Sequence, residues 1–245
     1  MNHFFTGPEN ILKDRVIIEG SDVNHIKNVL RMKPGDQLIV NDGEGAQLLC
    51  EIAETGDSTV VCTILSREAA GSEPCVRFYL FQGLPKSDKL EHVIQKSVEL
   101  GVYEIIPTKT ARSIVKYDEK KQKSRIERWQ KIAEGAAKQS GRGIIPKVCG
   151  IMTFKEALSC AGQLDMVLIP YENFKDMSST RETISRIKPG SSVGIFVGPE
   201  GGFETSEVDQ AVEAGAQPIS LGPRILRTET APLMLLSVLT FGLEE

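Results

Sequence analysis

Three charged residues stand close together near the end of the sequence. Arg224, Arg227 and Glu229 lie within LGPRILRTETAP, directly before a segment that reads as a helix apolar nearly all round. Charged groups at the start of a buried helix destabilise the folded protein unless they form ion pairs or bind a ligand. These residues therefore predict either a site where a cation and a carboxylate act on a ligand, or a structural arginine–glutamate pair.

A glycine-rich turn lies about twenty residues upstream, at Gly198-Pro199-Glu200-Gly201-Gly202. It follows an apolar strand, and open α/β sheets bind ligands at the carboxyl ends of their strands. Glycines let the backbone approach a ligand closely. Neither G-x-G-x-x-G nor G-x-x-x-x-G-K-[ST] occurs in the chain, so the expected ligand is not held by its phosphates. The alternative interpretation is a plain tight turn.

The elements that position both turns alternate between strands and helices. The predicted strands are CVRFYLFQGL, VYEIIPTKT, DMVLIPYE, SVGIFVGPE and QPISLGP. The predicted helices are KSDKLEHVIQKSVELG with Ser87 as its cap, a helix over about 120–139, FKEALSCAG, TSEVDQAVEAG with Thr205 or Ser206 as its cap, and TAPLMLLSVLTFGLEE. This alternation predicts an α/β domain over residues 73–245 with a mostly parallel sheet. The last helix is too apolar for one covered face, which favours a core position or a subunit interface.

The first 72 residues predict a small β-rich unit instead. Short strands, RVIIEG, DQLIVND, AQLLCEIAE and STVVCTIL, are separated by turns rich in glycine, proline and aspartate. One helix, SDVNHIKNVLRMK, interrupts them, with Ser21 or Asp22 as its cap and Val23, Ile26, Val29 and Leu30 on one face. The pattern favours a small barrel, joined to the second domain by the linker REAAGSEP.

Composition narrows the class of protein. The chain has 245 residues, 40% of them apolar and 25% charged, with no apolar run of the ~20 residues that span a bilayer. MNHFFTGPEN lacks the pattern of a secretion signal, and five scattered cysteines fit a reducing compartment, so we expect a cytoplasmic protein. The three histidines are too dispersed to predict a metal site.

The net charge of −4 hides a basic segment. Between Lys109 and Lys147, twelve lysines and arginines face four acidic residues. A local positive field of this kind can bind a polyanion even in an acidic protein. The alternative is a solvated helix face.

Together these motifs resemble a known family. GPEGGFETSE followed by LGPRILRTETA is similar to the SPOUT class of methyltransferases, and specifically to the bacterial enzymes that methylate N3 of a uridine in small-subunit (16S) ribosomal RNA. HIKNVLRMKPGD, KLEHVIQKSVELGVYEIIP, RSIV and RWQKIAEGAAKQSGRGIIP match as well. The resemblance covers nearly the whole chain, in order.

The resemblance implies a fold and a cofactor. Residues 1–72 would form a PUA-like RNA-binding barrel, and residues 73–245 a trefoil-knotted domain that binds S-adenosyl-L-methionine. The family works as a homodimer with the site near the subunit interface. The knotted loops would correspond to 169–172, 197–202 and 221–231, and the cofactor contacts to Ile169, Pro170, Tyr171, Glu172, Val197, Gly198, Pro199, Glu200, Gly201, Gly202, Leu221, Gly222, Arg224, Ile225, Leu226, Thr230 and Ala231.

The implied reaction needs a cation and a base. Uridine N3 is a poor nucleophile until its proton leaves, and a cation near O2 or O4 would stabilise the developing charge. We expect Arg227 to be that cation. Glu229 could orient Arg227 or accept the proton, and Glu200 is a weaker candidate for the base.

The implied substrate needs phosphate contacts. The expected ones are Lys27, Arg31 and Lys33 in the barrel, and Arg112, Lys116, Arg125, Arg128, Lys138 and Arg142 later in the chain. Trp129 could stack on a base, but its helical spacing with Ile126 and Ile132 favours core packing. Three alternatives remain open: a non-catalytic RNA-binding assembly factor, a SPOUT enzyme acting on a ribose 2′-hydroxyl or on transfer RNA, and a small-molecule α/β transferase.

Overall fold

The computed structural model describes residues 1–115 and 117–243. The chain forms two compact units. The first contains Met1–Glu73 and Ala137–Ile145, and the second contains Pro74–Ala136 and the chain from Pro146 onwards. None of the helices formed by the described residues is long and apolar enough to cross a membrane.

The first unit is built on a five-stranded sheet with the order β1-β3-β4-β5-β2. The strands are β1 (His3–Phe5), β2 (Arg15–Glu19), β3 (Gln37–Asn41), β4 (Ala46–Thr55) and β5 (Thr59–Ala69). β1 runs parallel to β3, and the other neighbours are antiparallel. The predicted β-rich unit is confirmed, although β1 was not predicted and β5 extends into the predicted linker.

The strands of this unit bury alternate residues, as a half-covered sheet requires. Leu38 and Val40 of β3 are buried with Cys50 of β4 and Val60 and Cys62 of β5 in one apolar cluster. The core therefore lies on one face of the curled sheet.

The helix of this unit is shorter than its sequence pattern suggests. α1 (Ser21–Asn24) continues as a π-helical turn (His25–Val29), and neither Ser21 nor Asp22 caps it, because Gly20 is the N-cap residue. A π turn closes i to i+5 hydrogen bonds, which shifts the side chains that follow it. Val29, the last residue of this turn, is exposed rather than on the apolar face, and Arg31 has a φ of 56°.

The second unit is an α/β structure with a parallel sheet in the order β12-β10-β11-β6-β7-β8, with β9 also paired to β7. Its strands are β6 (Arg77–Gly83), β7 (Val102–Lys109), β8 (Lys147–Val148), β9 (Met152–Thr153), β10 (Met166–Pro170), β11 (Ser192–Val197) and β12 (Gln217–Ile219). Every pairing among them is parallel. The predicted α/β fold with a mostly parallel sheet is confirmed.

Helices connect these strands. They are α2 (Lys89–Glu99), α3 (Glu119–Ser140), α4 (Phe154–Ala161), α5 (Met177–Ser185), α6 (Thr205–Glu213) and α7 (Ala231–Leu243). α5 was not predicted. All six residues of β11 are buried, as expected for a strand covered on both faces. Trp129 of α3 is buried, which confirms core packing rather than base stacking.

Two further predicted helix caps, both in the second unit, are wrong. Ser87 lies before α2 with a φ of 57°, and Asp88 occupies the N-cap position without a side-chain cap. Neither Thr205 nor Ser206 caps α6, because the helix already includes them and Glu204 is its N-cap residue. Gly101, with a φ of 87°, follows the end of α2 as predicted.

Candidate active site

The two glycine turns line one pocket of the second unit, with a volume of about 610 Å³. The turns follow β11 and β12, and the segment after β10 completes the wall. All three segments start at the carboxyl ends of neighbouring parallel strands, which lie at the same edge of the sheet. The sheet therefore brings together loops that are distant in sequence.

The first turn, Gly198–Gly202, leaves no room for a side chain at Gly198 or at Gly83, which lies against it. A Cβ on Gly198 would lie 2.9 Å from the backbone carbon of Gly202. A Cβ on Gly83, at the end of β6, would lie 2.7 Å from the nitrogen of Pro199. Gly202 itself has a φ of 68°, the left-handed region that favours glycine. These glycines serve a close backbone approach and a reversal of the chain.

A polar chain ties the second turn to the first. The Thr228 hydroxyl donates a hydrogen bond to the carbonyl oxygen of Gly198 at 2.7 Å. The buried Gln82 amide donates to the Thr228 hydroxyl at 3.0 Å. The Thr228 hydroxyl therefore joins the two turns.

A lysine links the carboxylates of the two turns. Lys89 Nζ lies 3.2 Å from Glu200 Oε1 and 3.4 Å from Glu229 Oε2. The hydrogen bond to Glu200, and the contact with Glu229, raise the pKa of Lys89. Partial burial works against ionisation of Glu200, yet its backbone hydrogen bonds, including one from the Lys86 amide, and the Lys89 ammonium lower its pKa overall. Lys89 and Glu200 therefore both carry charge at neutral pH.

Arg227 takes no part in the ion pairs that join Lys89 to Glu200 and Glu229. It lines the pocket and is exposed. The ion pairs of the described residues join Glu229 to Lys89 rather than to Arg227. The proposed orientation of Arg227 by Glu229 is thus not present in this structure, and a structural pair between the two does not form.

The predicted cofactor residues mostly lie together. Those that line the pocket are Pro170, Tyr171, Glu172, Val197, Gly198, Pro199, Glu200, Gly201, Gly202, Leu221, Gly222, Arg224, Ile225, Leu226 and Ala231. Ile169 is instead fully buried in the sheet, and Thr230 and Glu229 are outside the lining.

Sequence reasoning missed several lining residues. They are Lys89, Lys175, Met177, Phe203, Ser220, Pro223 and Thr228. The distance in sequence between Lys89 and the glycine turns hides its contribution. Lys175 and Met177 were missed because α5 was missed. Phe203 and Ser220 lie one residue beyond the predicted loops 197–202 and 221–231. Pro223 and Thr228 lie inside the predicted loop 221–231 but were not singled out as contacts.

The cations of the first unit that were predicted to contact RNA differ in whether their side chains already bind another group. Arg31 and Lys33 are exposed. Lys27 donates to the carbonyl oxygen of Gly56 and lies 3.6 Å from Asp57. Lys138 Nζ donates to both carboxylate oxygens of Asp22.

Arg142 does not fit the predicted contact with RNA. Its side chain is 3% exposed and donates to Glu73, whose carboxylate also accepts from the amides of Gly143 and Ile144. A guanidinium that is buried and paired in this way stabilises the loop after α3, and a phosphate could not reach it.

In the second unit, Arg125 and Arg128 both donate to Glu91, and Arg112 donates to the carbonyl oxygen of Gly201. Lys116 lies outside the described residues. Much of the positive charge counted in the sequence is thus balanced by nearby carboxylates. Across the part of the chain that the structure describes, no group of three or more His, Cys, Asp or Glu side chains could hold a metal ion.

Comparison with known proteins identifies the family. The RNA methyltransferase domain family matches residues 72–240, and the RNA methyltransferase PUA domain family matches residues 18–65. The ribosomal RNA small subunit methyltransferase E of Bacillus subtilis is 40% identical over 93% of this chain and 90% of its own length.

Solved structures support the same family. The chain is similar to the ribosomal RNA small subunit methyltransferase E of Neisseria gonorrhoeae bound to S-adenosylmethionine, with 33% identity, a TM-score of 0.83 and coverage of 98% of this chain and 97% of the other. A methyltransferase of Legionella pneumophila solved with the same bound cofactor gives 31% identity, a TM-score of 0.85 and the same coverage. The chain therefore belongs to the family of ribosomal RNA small subunit methyltransferases E, which combines an RNA methyltransferase domain with a PUA domain.

Proposed function

We propose that the protein transfers a methyl group from S-adenosylmethionine to N3 of a uridine in 16S ribosomal RNA. The observation that carries the proposal is the single pocket lined by both glycine turns in a chain of this family. Relatives whose names state action on small-subunit ribosomal RNA span about nine tenths of the chain. The proposed substrate implies action in the cytoplasm, where such RNA is assembled into ribosomes.

The pocket suits S-adenosylmethionine. Its volume falls within the ~300–1,000 Å³ typical of sites for small molecules. Leu221, Leu226 and Val197 supply apolar surface, and the backbone at Gly202 and Gly222 faces open space, where a Cβ would meet nothing within 4 Å. A ligand without phosphates needs such backbone and apolar contacts rather than a phosphate loop.

The residues that would hold the cofactor are those of the two turns and the segment 170–172. When bound, S-adenosylmethionine supplies an electrophilic methyl group. The chain has to orient the uracil ring, exclude water and manage the charge that develops as N3 loses its proton.

Arg227 is the proposed catalytic cation. It lines the pocket, and the ion pairs of the described residues leave it without a carboxylate partner. Its guanidinium can therefore turn toward O2 or O4 of the uracil and stabilise the negative charge that forms there. An arginine stays protonated at any pH at which the enzyme works.

Glu229 is the proposed proton acceptor, with Glu200 as the second candidate. Glu229 Oε2 is buried, and although Lys89 Nζ lies 3.4 Å away, the two atoms do not form an aligned hydrogen bond. The oxygen therefore keeps an unused acceptor site, which a uracil N–H could occupy once the Glu229 side chain turns into the pocket, whose lining it does not join in this structure. Glu200 already accepts hydrogen bonds from the Lys86 amide, which makes it the less available base.

RNA binding is proposed for the exposed cations of both units. Arg31 and Lys33 of the first unit are the foremost candidates, because they are exposed, and Lys27, Lys138, Arg125 and Arg128 would have to exchange a carboxylate or carbonyl for a phosphate. We also propose that the domains divide near residue 72 and that the methyltransferase domain contains the family's knot.

A homodimer is proposed from the last helix. α7 is apolar on most of its surface, yet Val238 is half exposed and Phe241 is 88% exposed. Monomeric proteins rarely leave such side chains together in solvent. A second copy of this chain packed on α7 would cover them.

The function can be tested directly. Small subunits from cells that lack the gene are incubated with the purified protein and S-adenosylmethionine, and the RNA is digested and analysed by mass spectrometry. We expect 3-methyluridine with wild-type protein and formation that is slower by about 10²- to 10³-fold with Arg227→Ala. A methylated ribose, or methylation of transfer RNA but not of small subunits, would contradict the proposal, as would RNA binding without any transfer.

A further inference from the structure

The segment that follows β7 is attached to the first glycine turn. Arg112 Nη1 donates a hydrogen bond to the carbonyl oxygen of Gly201 at 2.7 Å. Arg112 Nε lies 4.0 Å from a carboxylate oxygen of Glu204. Gly201 lines the pocket, whereas Arg112 does not. The guanidinium therefore supports a wall of the pocket without entering it.

A buried carboxylate fixes the backbone beside Arg112. Glu207, at the start of α6, is buried, and its Oε1 accepts a hydrogen bond from the amide of Ala111 at 2.8 Å. Its other oxygen accepts from the amide of Glu204 at 3.0 Å. Glu207 thus joins the segment after β7 to the stretch between the turn and α6. This link fixes the backbone directly before Arg112, from which the arginine side chain extends.

The stem of Arg112 also packs against the turn. A Cβ built on Gly201 would lie 3.3 Å from both Cβ and Cδ of Arg112, which is closer than ordinary van der Waals contact. The methylene groups therefore cover Gly201 while the guanidinium binds its carbonyl oxygen. Arginine stems often stabilise through packing as well as through charge.

We infer that Arg112 is a positioning residue for the first glycine turn and that it increases affinity for the methyl donor. The inference rests on the proposed function of the pocket. It replaces the expectation that Arg112 binds RNA phosphate. Two features oppose that expectation: the guanidinium already binds the Gly201 carbonyl, and the Glu204 carboxylate beside it repels a phosphate.

The test separates the two roles by two measurements on the same variant. Arg112→Met keeps much of the apolar stem and removes the guanidinium. We expect the dissociation constant for S-adenosylmethionine, measured by calorimetry on the full chain, to rise about 3- to 10-fold, which corresponds to one lost hydrogen bond. The salt dependence of RNA binding should stay as in the wild type. A phosphate contact would instead reduce that slope by about 0.7–0.9 and leave cofactor affinity unchanged.

Matched variants complete the design. Arg186→Met makes the same substitution at an exposed arginine of the second unit that pairs with Glu182 on α5, and it should leave cofactor affinity unchanged. Arg112→Lys keeps a donor and a charge, so its cofactor affinity should lie between those of the wild type and Arg112→Met. It also provides the comparison if Arg112→Met does not fold, which thermal melting would reveal.

The outcomes are distinct. Equal cofactor affinity in the wild type and in Arg112→Met would overturn the inference and leave the proposed function standing. Wild-type protein that binds no cofactor would overturn both. Weaker cofactor binding in Arg112→Met with an unchanged salt slope would support the inference.

Discussion

The two glycine turns line one pocket but are held in different ways. The first is fixed at several points: Thr228 binds the Gly198 carbonyl, Arg112 binds the Gly201 carbonyl, and Lys86 and Lys89 hold the Glu200 carboxylate. In the second, Arg224, Ile225 and Arg227 are exposed, Ile225 at 85%. A fixed turn suits a small cofactor that is bound in every cycle. An exposed turn with free cations suits a large substrate that approaches from solvent.

The largest expected effect comes from the exposed turn. Arg227→Ala should lower kcat by about 10²- to 10³-fold, because one donor to developing charge is lost. The dissociation constant for S-adenosylmethionine should stay within about twofold of the wild type, since the fixed turn is intact. Single-turnover methylation and calorimetry measure the two quantities. Arg227→Lys, which keeps a positive charge, should recover part of the rate, and equal rates for all three proteins would eliminate the catalytic role.

The fixed turn should be the more sensitive to added bulk. Gly198→Ala places a Cβ 2.9 Å from the Gly202 backbone, so we expect a loss of about 1–3 kcal/mol of folding stability and much weaker cofactor binding. Gly222→Ala meets no neighbour within 4 Å and should cost only the strain of its φ of 97°, about 1–2 kcal/mol. Denaturant melts compare the folding stability of the two variants, and calorimetry compares their affinity for S-adenosylmethionine. A greater loss of cofactor binding for Gly222→Ala would reverse the comparison.

The link between the turns should have an effect of similar size on folding stability. Thr228→Val removes a hydroxyl that donates to Gly198 and accepts from Gln82, and we expect it to cost about 1–3 kcal/mol in stability because buried partners are left unpaired. Thr228→Ser keeps the hydroxyl and is the matched control. If valine and serine variants melt at the same temperature, the hydrogen bonds between the turns contribute nothing measurable.

The smallest expected effect is a dependence of folding stability on pH. The folded state lowers the pKa of Glu200 below its ordinary value of 4.5, so the ionised carboxylate contributes stability above that value. This contribution should be lost as the pH falls below 4.5 and through the folded-state pKa. Glu200→Gln removes the titrating group. The stability difference between wild type and variant, from urea melts at pH 7 and at pH 3.5, should therefore shrink at the lower pH, and a constant or growing difference would contradict the account.

Much of the fold follows from local patterns in the sequence. The apolar runs of β6 and β11 predicted strands of a mostly parallel sheet, and both lie centrally in that sheet. The short strands separated by turns rich in glycine, proline and aspartate predicted a β-rich first unit, and β2 to β5 form most of its sheet. β1 and α5 were missed because β1 has three residues and α5 is rich in serine and threonine, which are weak helix formers.

The site was less accessible to sequence reasoning. The two turns carry glycines and prolines that mark close backbone approach, and these residues indicated the pocket. Contacts between distant segments left no such mark. Lys89 is more than 100 residues from both of its carboxylate partners, and the Arg112–Gly201 bond joins residues that are 89 positions apart. Pairing of Arg142 with Glu73 was likewise invisible, since a buried and an exposed arginine look alike in a sequence.

The central claim is that both glycine turns grip one molecule of S-adenosylmethionine. Calorimetric titration of the full chain with this compound, for the wild type and for Gly198→Ala, tests it most directly. We predict saturable binding to the wild type with one site per chain, and binding that is strongly reduced in a Gly198→Ala protein that remains folded. An absence of binding to the wild type, or equal binding to both proteins, would contradict the account.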